Sequence, residues 1–404
     1  FMNAEEEQIW VRRAVPKTIA LIGSPAAASG LVRSLSSRDG FLRRKIIEAL
    51  CYLRARQPGI RIDKRTIARQ IRLEAGWYLR SLADLWAVSA IHHARFAGPV
   101  AHWQTSGRVP TLLQQALAQR MTTAVGSVFG LLSLIYPSRD VEAAHRSLLS
   151  QDLRLRANAL EYLDNTLSGS LRRDLFAVID DAPPEDRLHR AAQQYGVGVE
   201  TAEVTLGRLL HADPGGDPAS VHLAFAAMHS VYADKVDRYY PVLKSIAESS
   251  EDMVLRETAD WILRQLRVGK PATPGGDSRN ADSDAGDSYH GETQMNQMAH
   301  IEKVVFLQGV DLFASCSAEQ LVQLAAISGN RQFAEGEKIY ARDEPPEAMY
   351  CVVEGAVDLE APDDHAEVVE RGATFGVTDI LSDRLRTGNA TSRATSNVLV
   401  IEAE

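Results

Sequence analysis

The chain has 404 residues, of which 45% are hydrophobic, and a formal net charge of -9. This length exceeds a single compact core and predicts two or three domains, while the hydrophobic content is that of a globular protein. The negative charge argues against nucleic acid as a partner, because nucleic-acid-binding proteins usually carry a basic face. No apolar run reaches the roughly 18 residues that a membrane-spanning helix needs, and we expect no signal peptide.

Three cysteines are present, at Cys51, Cys316 and Cys351. They show no CxxC spacing, and any disulfide would leave one of them unpaired. This usage indicates buried thiols in a reducing compartment, and it predicts a cytoplasmic location.

Residues 1–267 are predicted to form an almost wholly helical region, because apolar residues recur there at spacings of three and four. One motif recurs within it: an acidic residue, two spacers, a branched aliphatic residue and an arginine, followed three positions later by a small or aliphatic residue. The copies centre on Leu42-Arg43, Leu155-Arg156 and Leu255-Arg256, and in a fourth, Val11-Arg12, glutamine replaces the acid.

Each part of this motif has a physical role. The aspartate caps the start of a helix, the aliphatic residue is buried against a neighbour, and the arginine reaches an aspartate of an adjacent repeat. Four such units predict a solenoid of stacked helices resembling HEAT repeats. The alternative is four ordinary amphipathic helices that share their capping.

Residues 268–297 differ in composition from both flanking regions. They are rich in Gly, Ser and Asp and contain almost no large apolar side chains. Such a segment cannot bury enough surface to offset the entropy of ordering, so we predict a flexible linker.

Residues 298–404 are predicted to form a third type of structure, short helices followed by strands. The helices cover about 301–307 and 317–324, and Ser317 with Gln320 forms a capping box at the second. Glycines punctuate the strands at turns. The predicted strands are 338–340, 348–353, 356–359, 367–369 and 398–401.

Three features in this region follow one another in a characteristic order. Residues 306–313 precede a helix, residues 333–340 lead to the 349–359 strand pair, and Gly372 leads to Phe375-Gly376. This succession resembles the cyclic nucleotide-binding domain family. The resemblance implies a jelly-roll β-barrel with flanking helices, and therefore a multidomain α + β chain.

The resemblance also implies where a cyclic nucleotide would bind. In the family, a short helix after Phe-Gly aims backbone N–H groups at the cyclic phosphate, an arginine pairs with the phosphate, and a glutamate accepts a hydrogen bond from the ribose. The corresponding residues here are Gly376, Val377, Arg386 and Thr387. Val377 replaces the ribose-binding glutamate, so the site is predicted to be degenerate.

Arg386 leaves two interpretations open. Counted from Phe375 it stands where the phosphate arginine belongs, but counted back from Ala390 it is about two residues out of place. Arg384 and Arg386 are therefore either phosphate ligands or solvated loop residues. Because Asp379 and Asp383 bring negative charge nearby, we expect weak binding of a cyclic nucleotide or another anion.

The helical region carries a second resemblance. Residues 39–50, 131–137 and 157–167 are similar to the cytosolic HEAT region of bacterial proteins related to ATP/ADP translocases. This implies a regulatory scaffold, the cytosolic part of a nucleotide transporter at the inner membrane. Its partner would be its own transporter domain or another protein. The alternative is a soluble protein-interaction scaffold with a structural, ligand-free barrel.

The sequence offers no catalytic set. It contains no phosphate-binding P-loop, nucleophile elbow or zinc-peptidase motif, so we expect no enzyme activity, cofactor or metal. His92 and His93 are neighbours and would diverge by about 100° on a helix, which disfavours a shared ion. The basic stretches 69–72 and 172–173 are interpreted as solvated helix faces.

Overall fold

The computed structural model describes residues 9–37, 39–89, 111–150, 152–211, 219–233, 237–268, 298–360 and 366–403. The chain divides into two compact units, Phe1–Ser230 and Val231–Glu404. The predicted linker falls almost entirely outside the described residues, so the boundaries at 267 and 298 stay a prediction. None of the described helices is both long and apolar enough to cross a bilayer.

The first unit is helical, as expected, and the last of its helices runs across the unit boundary. The helices are α1 (Ile9–Ile22), α2 (Pro25–Ser34), α3 (Gly40–Arg56), α4 (Lys64–Ser89), α5 (Leu112–Ser133), α6 (Ser138–Leu149), α7 (Leu153–Thr166), α8 (Gly169–Ile179), α9 (Pro184–Tyr195), α10 (Ala202–Leu210) and α11 (Ala219–Ala233).

The predicted aspartate caps are confirmed. The Asp39 carboxylate accepts a hydrogen bond from the backbone N–H of Leu42 at 3.0 Å. Asp152 and Asp252 accept equivalent bonds from Leu155 and Leu255. Each carboxylate therefore satisfies an amide that the first turn of its helix leaves without an intrahelical partner.

The predicted burial of the aliphatic position is wrong for one copy. Leu42 and Leu255 are buried, whereas Leu155 is 47% exposed. The reason is that α7 turns Ala159 and Leu163 inward, and these two side chains bury its apolar face in place of Leu155.

The arginines of the motif do not share one kind of partner. Arg43 forms a buried ion pair with Glu74 of α4, at 3.1 Å. Arg156 does pair with an aspartate, Asp181. Arg256 donates to a backbone carbonyl, that of Ser250.

The long helix α4 organises the first unit. It packs against α5 and also against α8, α9 and α10, which lie far along the chain. In a pure solenoid each repeat contacts only its neighbours. The helical region is thus confirmed, but a HEAT solenoid is not.

The second unit combines helices and strands. Its helices are α12 (Tyr240–Ser249), α13 (Met253–Val268), α14 (His300–Gln308), α15 (Ala318–Ile327) and the short α16 (Val377–Leu381). Its strands are β1 (Ser328–Phe333), β2 (Lys338–Tyr340), β3 (Ala348–Glu354), β4 (Ala356–Glu360), β5 (Ala366–Glu370), β6 (Thr374–Phe375), β7 (Asn389–Ser392) and β8 (Ser396–Glu402). The predicted Ser317–Gln320 capping box begins α15.

The strands form two antiparallel sheets, in the orders β1-β8-β3-β6 and β2-β7-β4-β5. The expectation of a closed barrel is therefore wrong, because within the described residues no ladder joins one sheet to the other. Side chains of both sheets share one apolar core, which includes Val352, Val357, Phe375 and Val398. This core holds the two sheets together and fixes the position of β6, which leads into the candidate site.

We expect Cys51 and Cys351 to resist alkylation at pH 8 in the native protein. Burial raises the pKa of each thiol to about 12, so the reactive thiolate is scarce. Cys51 and Cys316 are both partly buried, whereas Cys351 is buried; because burial disfavours the Cys51 thiolate, Cys316 should react first. Mass spectrometry after iodoacetamide treatment, with and without denaturant, checks this. Rapid labelling of Cys351 in the folded chain would show that its strand is accessible.

Candidate functional site

The candidate site lies where β6 meets α16. Gly376 joins them in a left-handed conformation with φ of 74°. A β-carbon at this position would lie 2.7 Å from Nη1 of Arg386, so glycine is required both by the backbone and by the approach of that side chain. The resemblance identified this residue, and the structure places it in contact with Arg386.

Arg386 is 1% exposed and is the bulkiest of the fully buried side chains described. Its Nη1 donates to the Gly376 carbonyl at 2.8 Å, and its Nη2 donates to the Ala348 carbonyl. Nη1 also lies 3.6 Å from the Asp379 carboxylate. The solvated-loop interpretation is therefore wrong for Arg386, whereas Arg384 is exposed.

Asp379 lies in the first turn of α16 and is itself buried. One carboxylate oxygen faces Arg386, and the other accepts a hydrogen bond from the Thr387 hydroxyl at 3.2 Å. Arg386, which the resemblance assigned to the phosphate, and Thr387, which it placed in the nucleotide site, thus both approach a carboxylate of the protein. Their arrangement stabilises one buried negative charge.

Aromatic rings enclose the arginine from the side. The guanidinium carbon lies 4.3 Å from the Tyr340 ring centroid and 5.8 Å from that of Tyr350. Tyr350 in turn stacks on Phe375, with 5.1 Å between the ring centroids. The pKa of Tyr340 is raised to about 12, chiefly because of its burial, so its hydroxyl stays neutral.

The backbone of Arg386 is held as firmly as its side chain. Its N–H donates to the Glu344 carbonyl, and its carbonyl accepts from the Asp343 N–H, both at 2.9 Å. These bonds join the segment before β7 to the loop between β2 and β3. The position of Arg386 is thus fixed before any ligand is present.

Two further residues singled out in the sequence contribute less. Val377 begins α16 and offers no side-chain acceptor for a ribose hydroxyl. Asp383 is exposed in a turn with φ of 49°. Asp379 rather than Asp383 is the acidic residue that faces Arg386.

Sequence reasoning missed the pairing of Asp379 with Arg386. It treated Asp379 as a charge that would repel a phosphate, not as a partner of the arginine. The sequence did offer one signal: an acidic residue, Asp379, stands only three positions after Gly376. The seven-residue separation from Arg386 hid the contact, because it depends on how the turn after α16 folds back.

The region that forms the two sheets and the candidate site matches a known domain family. The sequence profile of the cyclic nucleotide-binding domain family matches residues 330–404. The chain therefore carries a cyclic nucleotide-binding domain at its C-terminus, which suggests a regulatory role.

Similar solved structures include the regulatory domain of PKA from Toxoplasma gondii with cAMP (19% identity, TM-score 0.24, 26% of this chain, 42% of that chain). They also include a regulatory subunit of a cAMP-independent protein kinase A from Trypanosoma brucei (18% identity, TM-score 0.24, 26% of this chain, 40% of that chain). A third is the sensor domain of the transcriptional regulator DNR from Pseudomonas aeruginosa (24% identity, TM-score 0.23, 24% of this chain, 69% of that chain). This chain thus spans less than half the length of the first two, and no curated protein matches it.

Proposed function

We propose that the C-terminal domain is a regulatory module whose phosphate site is closed by its own carboxylate. In this account the domain binds cyclic AMP and cyclic GMP weakly or not at all. One observation carries the proposal: the buried Arg386 guanidinium is paired with Asp379 and with two backbone carbonyls.

The energetics of ligand entry support this reading. A phosphate would have to displace the Asp379 carboxylate from Arg386, and separating a buried ion pair typically costs about 3–5 kcal/mol. A phosphate beside a retained Asp379 would meet like charge. Either route lowers affinity compared with an arginine that has no carboxylate beside it.

The ribose contact is lost independently. A hydrogen bond to a charged group contributes about 1.5–3 kcal/mol, and each 1.4 kcal/mol is about a tenfold change in affinity. Val377 in place of a glutamate therefore weakens binding by roughly 10- to 150-fold. The two effects act on different parts of the ligand, so they should reinforce each other.

We expect that replacing Val377 by Glu and Asp379 by Ala together creates cyclic nucleotide binding. The change supplies the ribose acceptor and leaves Arg386 in need of an anion. Calorimetric titration of the full chain with cyclic AMP and cyclic GMP checks this. A ligand-dependent rise in the melting temperature of the double variant would corroborate it.

Asp383→Ala is the control, since it removes a nearby exposed acid that does not face Arg386. It should bind no better than the wild-type chain. A double variant that folds yet gains no affinity would count against the closed-site account. An equal gain in cyclic nucleotide affinity from Asp383→Ala would show that the effect comes from lowering the local negative charge and not from freeing Arg386.

The chain as a whole would then act as a scaffold without catalysis. The repeated motif and the similarity of residues 39–50, 131–137 and 157–167 to transporter-associated HEAT regions support this proposal. The partner would be a nucleotide transporter's membrane domain at the inner membrane, or another protein. Sequencing the gene upstream of Phe1 tests the transporter version, which requires apolar spans of about 20 residues there.

A further inference from the structure

Two basic stretches separated by about 100 residues in the sequence converge in the first unit. Arg69 and Arg72 of α4 lie beside Arg173 of α8, because these two helices pack together. The three arginines line an open groove of about 450 Å³. The rest of its described lining is Ala68, Ser170, Asp174 and Gln194.

Only one of the three arginines is neutralised. Arg72 pairs with Asp174 at 3.2 Å and donates to the Gln194 carbonyl at 2.7 Å. The Tyr195 hydroxyl donates to the same Asp174 carboxylate at 2.7 Å. The Oδ1 oxygen of Asp174 thus already accepts from two donors, and this single negative charge leaves the groove of three arginines with a net positive charge.

Arg69 and Arg173 are exposed, and neither forms a hydrogen bond or an ion pair with any residue that the structure describes. Arg172, the neighbour of Arg173, is instead paired with Asp164. Two guanidinium groups thus line one groove whose described carboxylate, Asp174, is already paired with Arg72. Like charges held together in this way favour an anion that they can share.

The start of α8 adds to the positive potential. Ser170 in its first turn lines the groove, and the Ser168 side chain makes no capping hydrogen bond. The N-terminus of an eleven-residue helix carries partial positive charge. This contribution supports the arginines and would not make a site alone.

We infer that this groove binds a small phosphorylated ligand through its phosphate group. Guanidinium groups match phosphate oxygens geometrically and bind them in pairs. The volume falls within the range of small-molecule sites, about 300–1,000 Å³. No aromatic ring belongs to the described lining, so the groove recognises the phosphate and not a nucleobase.

Calorimetric titration of the full chain with inorganic diphosphate tests the inference, with chloride at equal ionic strength as the comparison. We expect saturable binding to the wild-type protein. Loss of one charge-assisted contact weakens binding about tenfold or more, so Arg69→Gln with Arg173→Gln should reduce affinity by roughly a hundredfold. Both side chains are exposed, so the double variant should keep its fold.

Arg172→Gln is the matched control, because it removes an adjacent charge that does not line the groove. It should leave diphosphate binding unchanged. Three results would overturn the inference: no binding of diphosphate at millimolar concentration, equal losses in Arg172→Gln and the double variant, or binding only to anionic phospholipid vesicles. Each is independent of the cyclic nucleotide titration, which concerns the other unit.

Discussion

Arg386→Ala is expected to destabilise the C-terminal domain by about 3–5 kcal/mol. The substitution leaves the buried Asp379 carboxylate without its cation, and an uncompensated buried charge costs about that much. It also removes the donors to the Gly376 and Ala348 carbonyls and opens a cavity beside Tyr340. The arginine is thus a structural element of the domain in the ligand-free state.

Urea unfolding followed by alkylation of Cys351 measures this effect locally, because that thiol is buried in β3 of the same domain. The midpoint for labelling should fall sharply in Arg386→Ala. Arg384→Ala is the control: its side chain is exposed, and substitutions at such positions usually change stability by less than about 0.5 kcal/mol. Equal midpoints for the two variants would mean that the Arg386 contacts do not hold the domain.

Leu42→Ala should cost about 2–5 kcal/mol, whereas Leu155→Ala should cost well under half as much. The two leucines occupy the same position of the repeated motif, but Leu42 is 0% exposed and Leu155 is 47% exposed. Only the first truncation leaves a cavity between packed helices. Both belong to the first unit, so one observable serves for both.

Thermal denaturation followed by circular dichroism compares these variants. A clear drop in melting temperature is expected for Leu42→Ala alone. Equal drops in the melting temperatures of the two variants would show that Leu155 is buried in solution. The two copies of the motif would then be structurally equivalent. No drop in either would remove the support for α3 as a core helix.

Much of the secondary structure was predictable because local signals agreed. The strands β2, β3, β4, β5 and β8 carry β-branched or aromatic residues between turn signals, and the predicted segments lie within them. The three strands that were missed have weaker signals. Ser328–Phe333 is mostly polar, Thr374–Phe375 has two residues, and Asn389–Ser392 carries small, mostly polar side chains.

The arrangement of the elements was less predictable, since it depends on contacts between distant segments. The resemblance implied a closed barrel, but the strand ladders form two sheets. The motif placed Leu155 inside, yet a helix can bury its face through residues one or two turns further on, as α7 does. The groove at Arg69 and Arg173 could not be predicted, because its two stretches meet only when α4 packs on α8.

The sequence predicted which residues form the candidate site, but it did not predict how Arg386 is paired within it. Gly376 and Arg386 follow from the resemblance, and Val377 from its departure from the family. That Arg386 points inward and meets Asp379 depends on the turn after α16 and on the loop bonds at Asp343 and Glu344. No spacing rule in the sequence encodes those contacts.

Calorimetric titration of the unmodified full chain with cyclic AMP and cyclic GMP tests the central claim most directly. Because Arg386 is already paired with Asp379 and Val377 supplies no ribose acceptor, we predict no saturable heat at micromolar concentrations of either nucleotide. Micromolar or tighter binding of either one would contradict the account and show that the internal carboxylate yields to the ligand.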